Sequence, residues 1–139
     1  MIVVDTSVAY ALLDERDAGH EAARSWYDRP HRDLLTTPLV LAEVDHLAAA
    51  RLGRTARSAF LRDVDRGGYT IAWWGSAVAE SVRIAQRYLE LGISLTDASL
   101  VALAARLETT SIATFDERHF RAIQPLTGEP AFSLLPVDG

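Results

Sequence analysis

Ile2-Val3-Val4-Asp5-Thr6-Ser7 is the stretch that decides the fold. Three apolar residues in a row read as a short strand buried on both faces. An acid follows at once, and then two hydroxyl residues, either of which can cap a helix running to about Leu13. A buried strand feeding directly into a helix is the opening of a βα unit. In open sheets of that kind, ligands bind at the carboxyl ends of the strands. Asp5 stands at such an end, with two readings open: an acid that faces a ligand, or a simple helix cap.

The rest of the chain repeats the pattern. A second helix is expected over about 18–27, ended by Pro30. Leu34-Leu35-Thr36 is a second strand. Thr37 caps a helix with Pro38 in its first position, running to about Leu52 and stopped by Gly53. Thr55 caps a further helix that ends at Gly67-Gly68. Residues 69–74 read as a third strand, Ser76 as the cap of a helix to Leu91, and Thr96 as the cap of another to about Leu107. Residues 111–114 and 132–135 complete the strands, with a helical turn over 116–122. The order β-α-α-β-α-α-β-α-α-β-α-β predicts a single α/β domain over 1–139, with three α/β/α layers around a central, mainly parallel sheet.

Composition narrows the chemistry. The 139 residues suffice for one core without staples. Cysteine is absent, which excludes disulfide scaffolds, thiolate metal sites and thiol catalysis. Histidines 20, 31, 46 and 119 lack zinc-ligand spacing. All 14 basic residues are Arg, so P-loops, Schiff-base enzymes and kinases are excluded as well. A net charge of −5 argues against indiscriminate nucleic-acid binding. It leaves room for a nucleic-acid enzyme whose acidic pocket holds cations. No apolar run approaches the ~18 residues of a membrane span, and no signal-like start is present, so a cytoplasmic protein is expected.

Three more acids join Asp5 in awkward places. Asp116 follows another apolar strand and would emerge at the same sheet edge, or else cap the turn that holds His119. Glu43 lies between Leu39 and Leu47 at helical spacing, which predicts a core-facing position. Its plainer reading is a buried ion pair with an Arg. Asp97 starts the stripe Leu100, Val101, Ala104, Leu107 and is either an inward-facing acid or a first-turn acid favoured by the helix dipole. With Thr96 as cap, Asp97 is left available for other work. Four carboxylates near one edge cannot all stay ionised without a cation. All-oxygen ligation selects Mg²⁺ or Mn²⁺, ions that activate water and neutralise a phosphodiester.

These residues resemble a known family. Ile2-Val3-Val4-Asp5-Thr6-Ser7 looks like the opening of PIN-domain nucleases. Ala42-Glu43-Val44 resembles their second acid, Leu95-Thr96-Asp97-Ala98 the third, and Thr114-Phe115-Asp116-Glu117-Arg118-His119-Phe120 the fourth. The ordered set spans essentially the whole chain and is similar to VapC toxins of type II toxin–antitoxin modules, the mycobacterial type in particular. The resemblance implies a Mg²⁺-dependent endoribonuclease that cuts structured RNA (tRNA or rRNA), forms a homodimer and is neutralised by a VapB antitoxin. It implies that Asp5, Glu43, Asp97 and Asp116 are the catalytic and metal-binding acids, with Thr6 or Ser7 assisting through a hydroxyl. Where some members carry a further acid, this chain has Leu100. The alternative is a non-catalytic PIN-like interaction module, which would be free to lose one of the acids; all four are present.

Arg51, Arg54, Arg57, Arg62 and Arg66 bracket one inter-helix turn and read either as an RNA contact or as a solvated face interspersed with Asp63 and Asp65. Trp73-Trp74 reads as a base-stacking pair or as core, and His119 as a proton shuttle or a structural hydrogen-bond donor.

Overall fold

Val3 and Val4 are buried at the centre of a five-stranded sheet, in a computed structural model that describes residues 1–30 and 33–139. His31 lies outside the described residues. The elements run β1 (Ile2–Val4), α1 (Thr6–Leu13), α2 (His20–Asp28), β2 (Leu34–Thr36), α3 (Pro38–Arg51) and α4 (Arg54–Asp65). They continue as β3 (Thr70–Ile71), α5 (Ala77–Arg87), α6 (Leu95–Arg106), β4 (Ser111–Ala113), α7 (Glu117–Phe120) and β5 (Ser133–Leu135). The predicted order is the observed one.

The strands pair in the order β3-β2-β1-β4-β5, and every pairing is parallel. The chain therefore steps outward from β1 through β2 to β3, then crosses back to β4 and β5. Helix α1 packs on α2 and α3, α3 packs on α4, and α5 packs on α6. The reversal falls between β1 and β4, where Val4 is level with Ala113. This is the switch point at which an open α/β sheet leaves a crevice outside its strand ends.

Several local expectations are corrected by tertiary contacts. The third strand is only Thr70–Ile71, exposed at the sheet edge, and Trp73 and Trp74 lie beyond it. Asp5, not Thr6 or Ser7, occupies the N-cap position of α1, yet its carboxylate makes no cap hydrogen bond. Thr37 does sit at the N-cap of α3, but its hydroxyl bonds Ser99 at 2.9 Å and ties α3 to α6 instead. Helix α5 ends at Arg87, short of Leu91, with the chain turning through Gly92 at φ +75°. Helix α6 is capped by Ser94 rather than Thr96. It is also buried all round: residues 98–104 are covered on every side, so the stripe expected from Leu100, Val101 and Ala104 is only part of its contact surface. No helix among the described residues is long and apolar enough to cross a membrane.

Candidate metal centre and active site

At the switch point lies an open pocket of about 800 Å³. Asp5, Glu43, Asp97 and Asp116 all line it. They arrive from four separated segments: the end of β1, the second turn of α3, the first turn of α6, and the residue that heads α7.

Asp5 is the most tightly held. Ser7 Oγ donates to its Oδ2 at 2.9 Å, and Thr114 Oγ1 donates to the same oxygen at 2.7 Å. Each hydroxyl is itself fixed from behind: Phe115 N–H donates to Ser7 Oγ at 2.9 Å, and Asp116 N–H donates to Thr114 Oγ1 at 2.9 Å. The parallel register causes this. With Val4 level with Ala113, Asp5 falls beside Thr114. Burial raises the Asp5 carboxyl from its ordinary 3.8 to about 6; the Thr114 hydrogen bond opposes the rise and the charge of Asp97 adds to it.

Asp97 has two duties. With Ser94 it forms a reciprocal capping box: Asp97 N–H donates to Ser94 Oγ at 3.0 Å, and Ser94 N–H donates to Asp97 Oδ2 at 3.3 Å. The expectation that a Thr96 cap leaves Asp97 available is therefore incorrect, yet the carboxylate still faces the pocket. Its pKa is also raised, first by burial and then by the charge of Asp116, against the pull of the Ser94 hydrogen bonds and of His119.

Asp116 caps α7 by accepting His119 N–H at 3.1 Å. His119 Nδ1 lies 2.9 Å from Asp116 Oδ2 and 3.5 Å from Asp97 Oδ2. An ionised carboxylate only accepts, so Nδ1 carries the proton and donates to Asp116. His119 is thus a hydrogen-bond donor within the site, bridging two of its acids.

Glu43 corrects the prediction of a core-facing acid. Val40, Val44 and Ala48 form the buried face of α3, whereas Glu43 is exposed and Leu47 half-buried, both on the wall of the pocket. Its row along the helix faces the cleft, which explains an acid at an otherwise apolar spacing.

The donor set suits a hard divalent cation. Carboxylate oxygens of Asp97 and Asp116 and a ring nitrogen of His119 lie within 4.8 Å of one another. Thr6 Oγ1, on the pocket wall, is buried without a hydrogen-bond partner among the described residues. Two carboxyls are displaced upward partly by a neighbouring carboxylate, which is the repulsion a cation relieves.

The family model of the PIN domain matches residues 2–124. The chain belongs to the PIN domain family. It is 35% identical over 136 residues to Ribonuclease VapC26 of Mycobacterium tuberculosis, covering 97% of this chain and all of that protein. VapC20 of Mycobacterium tuberculosis, a sarcin–ricin loop cleaving toxin, superposes with a TM-score of 0.78 at 24% identity, over 84% of this chain and 90% of its own. FitAcB of Neisseria gonorrhoeae gives a TM-score of 0.62 at 20% identity, over 84% and 88%. These two likenesses are of fold.

In this PIN domain the remaining sequence candidates separate. Arg51 lines the acidic pocket, Arg54 and Arg57 line a different recess, and Arg66 a third. Trp74 is half-buried, donates Nε1–H to Glu80 at 2.8 Å and carries Arg106 over its ring at 5.1 Å; neither Trp73 nor Trp74 lines the pocket. The role of Thr114 escapes a reading of the sequence, because only the β1–β4 register brings it beside Asp5. Its place two residues before Asp116 is the one local signal.

Proposed function

We propose that this chain is a cytoplasmic, metal-dependent endoribonuclease toxin of the VapC kind. On this reading residues 1–139 form one catalytic domain that works as a homodimer. It cleaves structured RNA, tRNA or rRNA, to inhibit translation and growth, and a cognate VapB antitoxin neutralises it. The reading rests on the convergence of Asp5, Glu43, Asp97 and Asp116 on one pocket at the sheet's switch point, in a chain 35% identical to a protein named as a ribonuclease.

Asp5, Glu43, Asp97 and Asp116 would hold Mg²⁺, with Mn²⁺ as a substitute. When bound, the ion supplies an activated water and neutralises charge on the scissile phosphodiester. The chain's own part is orientation. Ser7 and Thr114 fix the Asp5 carboxylate by its Oδ2 edge. The capping box fixes Asp97. His119 holds Asp116 through Nδ1–H. An acidic pocket also fits a guanidinium, so an antitoxin Arg reaching these acids would exclude the metal. Changing that Arg to Ala should weaken inhibition more than binding.

The testing experiment maps RNA ends after induced expression. New ends at one or a few positions in tRNA or rRNA, absent with Asp116→Asn, support the proposal. An unchanged RNA population with growth unaffected refutes it.

A further inference from the structure

Among the described residues that line the acidic pocket, Arg51 is the sole Lys or Arg. Glu43, Leu47 and Arg51 follow one another at a spacing of four on α3, so they form one row down a single face. At 1.5 Å per residue the row places Arg51 about 12 Å along the axis from Glu43. Along this row the pocket wall runs from the Glu43 carboxylate through the apolar Leu47 to the Arg51 cation, while Asp17 lines the same pocket from the loop between α1 and α2.

Arg51 is also held in a particular way. Its guanidinium carbon lies 5.5 Å from the centroid of the Tyr10 ring. Tyr10 is itself fixed, being only 5% exposed, with its hydroxyl donating to Asp14 at 2.7 Å. The guanidinium touches the Tyr10 hydroxyl side but is in no ion pair with a carboxylate among the described residues. Arg57, by contrast, is committed to Asp45 through contacts of 2.7 and 3.3 Å. A guanidinium that lies against a ring with no carboxylate partner has five N–H donors, enough to meet the ring's hydroxyl and still offer some to an oxyanion. In a pocket lined by so many carboxylates, a cation about 12 Å along α3 from Glu43 suits a phosphate of the strand beyond the scissile bond.

We propose that Arg51, held against Tyr10 about two helical turns along α3 from Glu43, is a phosphate anchor that positions the RNA strand. This deepens the ribonuclease reading and rests on it. Arg51 is a positioning residue: it sets where the strand lies, and the acids act on the bond.

The test uses fluorescence anisotropy with a short fluorescein-labelled single-stranded RNA, in the full chain carrying Asp116→Asn so that RNA is not consumed. Arg51→Gln should raise Kd about fivefold to tenfold and reduce the slope of log Kd against log salt by about 0.7, the share of one phosphate on a single strand. Arg51→Lys keeps the charge and should restore the slope while recovering only part of the affinity. Arg57→Gln, the same loss of charge at a paired guanidinium, should leave both unchanged. In the cleaving protein Arg51→Gln should raise KM with kcat changed less than about twofold. An unchanged slope in Arg51→Gln overturns the proposal, whether Kd is unchanged or weakened together with a lower melting temperature. So does unchanged RNA binding with lost affinity for the antitoxin. Salt-dependent binding that needs Arg51 in a protein that cuts no RNA would instead overturn the ribonuclease reading and leave the anchor standing.

Discussion

Asp5→Asn should stabilise the metal-free protein at neutral pH while it abolishes cleavage. The Asp5 carboxyl is raised from 3.8 to about 6, chiefly by burial. Folding therefore favours its protonated form. Below pH 4 the carboxyl is protonated in both folded and unfolded chains, and it costs nothing. As pH rises from 4 through 6, the unfolded chain releases its proton first, and the stability contributed by the neutral form is lost. Above pH 6 the folded protein carries the full cost. At about 1.36 kcal/mol per tenfold change in the proton equilibrium, that cost is up to about 3 kcal/mol. For a chain of this size it corresponds to a Tm difference of roughly 10 °C. Asparagine is neutral throughout, and its carbonyl oxygen can accept the bonds that Ser7 and Thr114 now give to Oδ2. Thermal melts in EDTA across pH 4 to 8 read the effect. Wild type and variant should coincide near pH 4 and diverge above pH 6, with the variant higher. Mg²⁺ added to the wild type at pH 7 should narrow the gap. A variant less stable than wild type at pH 7, or a pH-independent difference, would refute the argument that burial and Asp97 oppose the charge on Asp5.

Asp97→Asn keeps an oxygen for the Ser94 N–H, so Tm should move by only a few degrees, whereas kcat should fall on the order of a hundredfold or more; melts and initial rates separate the two, and unfolding of the variant would return Asp97 to a purely capping role. Gly19→Ala should destabilise by about 1–3 kcal/mol and slow cleavage, because a Cβ there would meet the Phe115 ring at 2.5 Å, and Phe115 lies between Thr114 and Asp116. Urea melts and activity assays check both effects, and a variant with wild-type stability and rate would show that Phe115 moves without consequence.

The alternation of elements was legible because apolar strands and capped helices are local patterns. The observed α/β order and parallel sheet follow them closely. Helix caps were less legible. Asp5, Thr37 and Ser76 stand at N-cap positions, but each side chain is drawn to a partner elsewhere: Asp5 to Ser7 and Thr114, Thr37 to Ser99, and Ser76 to Glu80. A propensity for capping is worth about 1 kcal/mol and yields to such contacts. The third strand is only Thr70–Ile71, and the Trp pair that follows it makes contacts outside the ladder, Trp74 with Glu80 and Arg106 and the two rings with each other. Among the acids, Asp5 and Asp116 were readable from their place after strands. Glu43 stands out in the sequence as an acid at apolar spacing, yet it lies on the pocket wall and not in the core, since a helix that borders a cleft has an apolar wall as well as an apolar core face. Thr114 beside Asp5, and Arg51 over Tyr10, depend on register and helix packing, which no local pattern encodes.

Metal-dependent RNA cleavage by these acids is tested most directly in a single reaction. Purified protein incubated with total RNA in excess EDTA should leave the RNA intact. Titrating Mg²⁺ or Mn²⁺ back should produce discrete tRNA or rRNA fragments from the wild type and none from Asp116→Asn. Fragments of the same pattern in excess EDTA, or the same fragments from Asp116→Asn with Mg²⁺, would contradict the account.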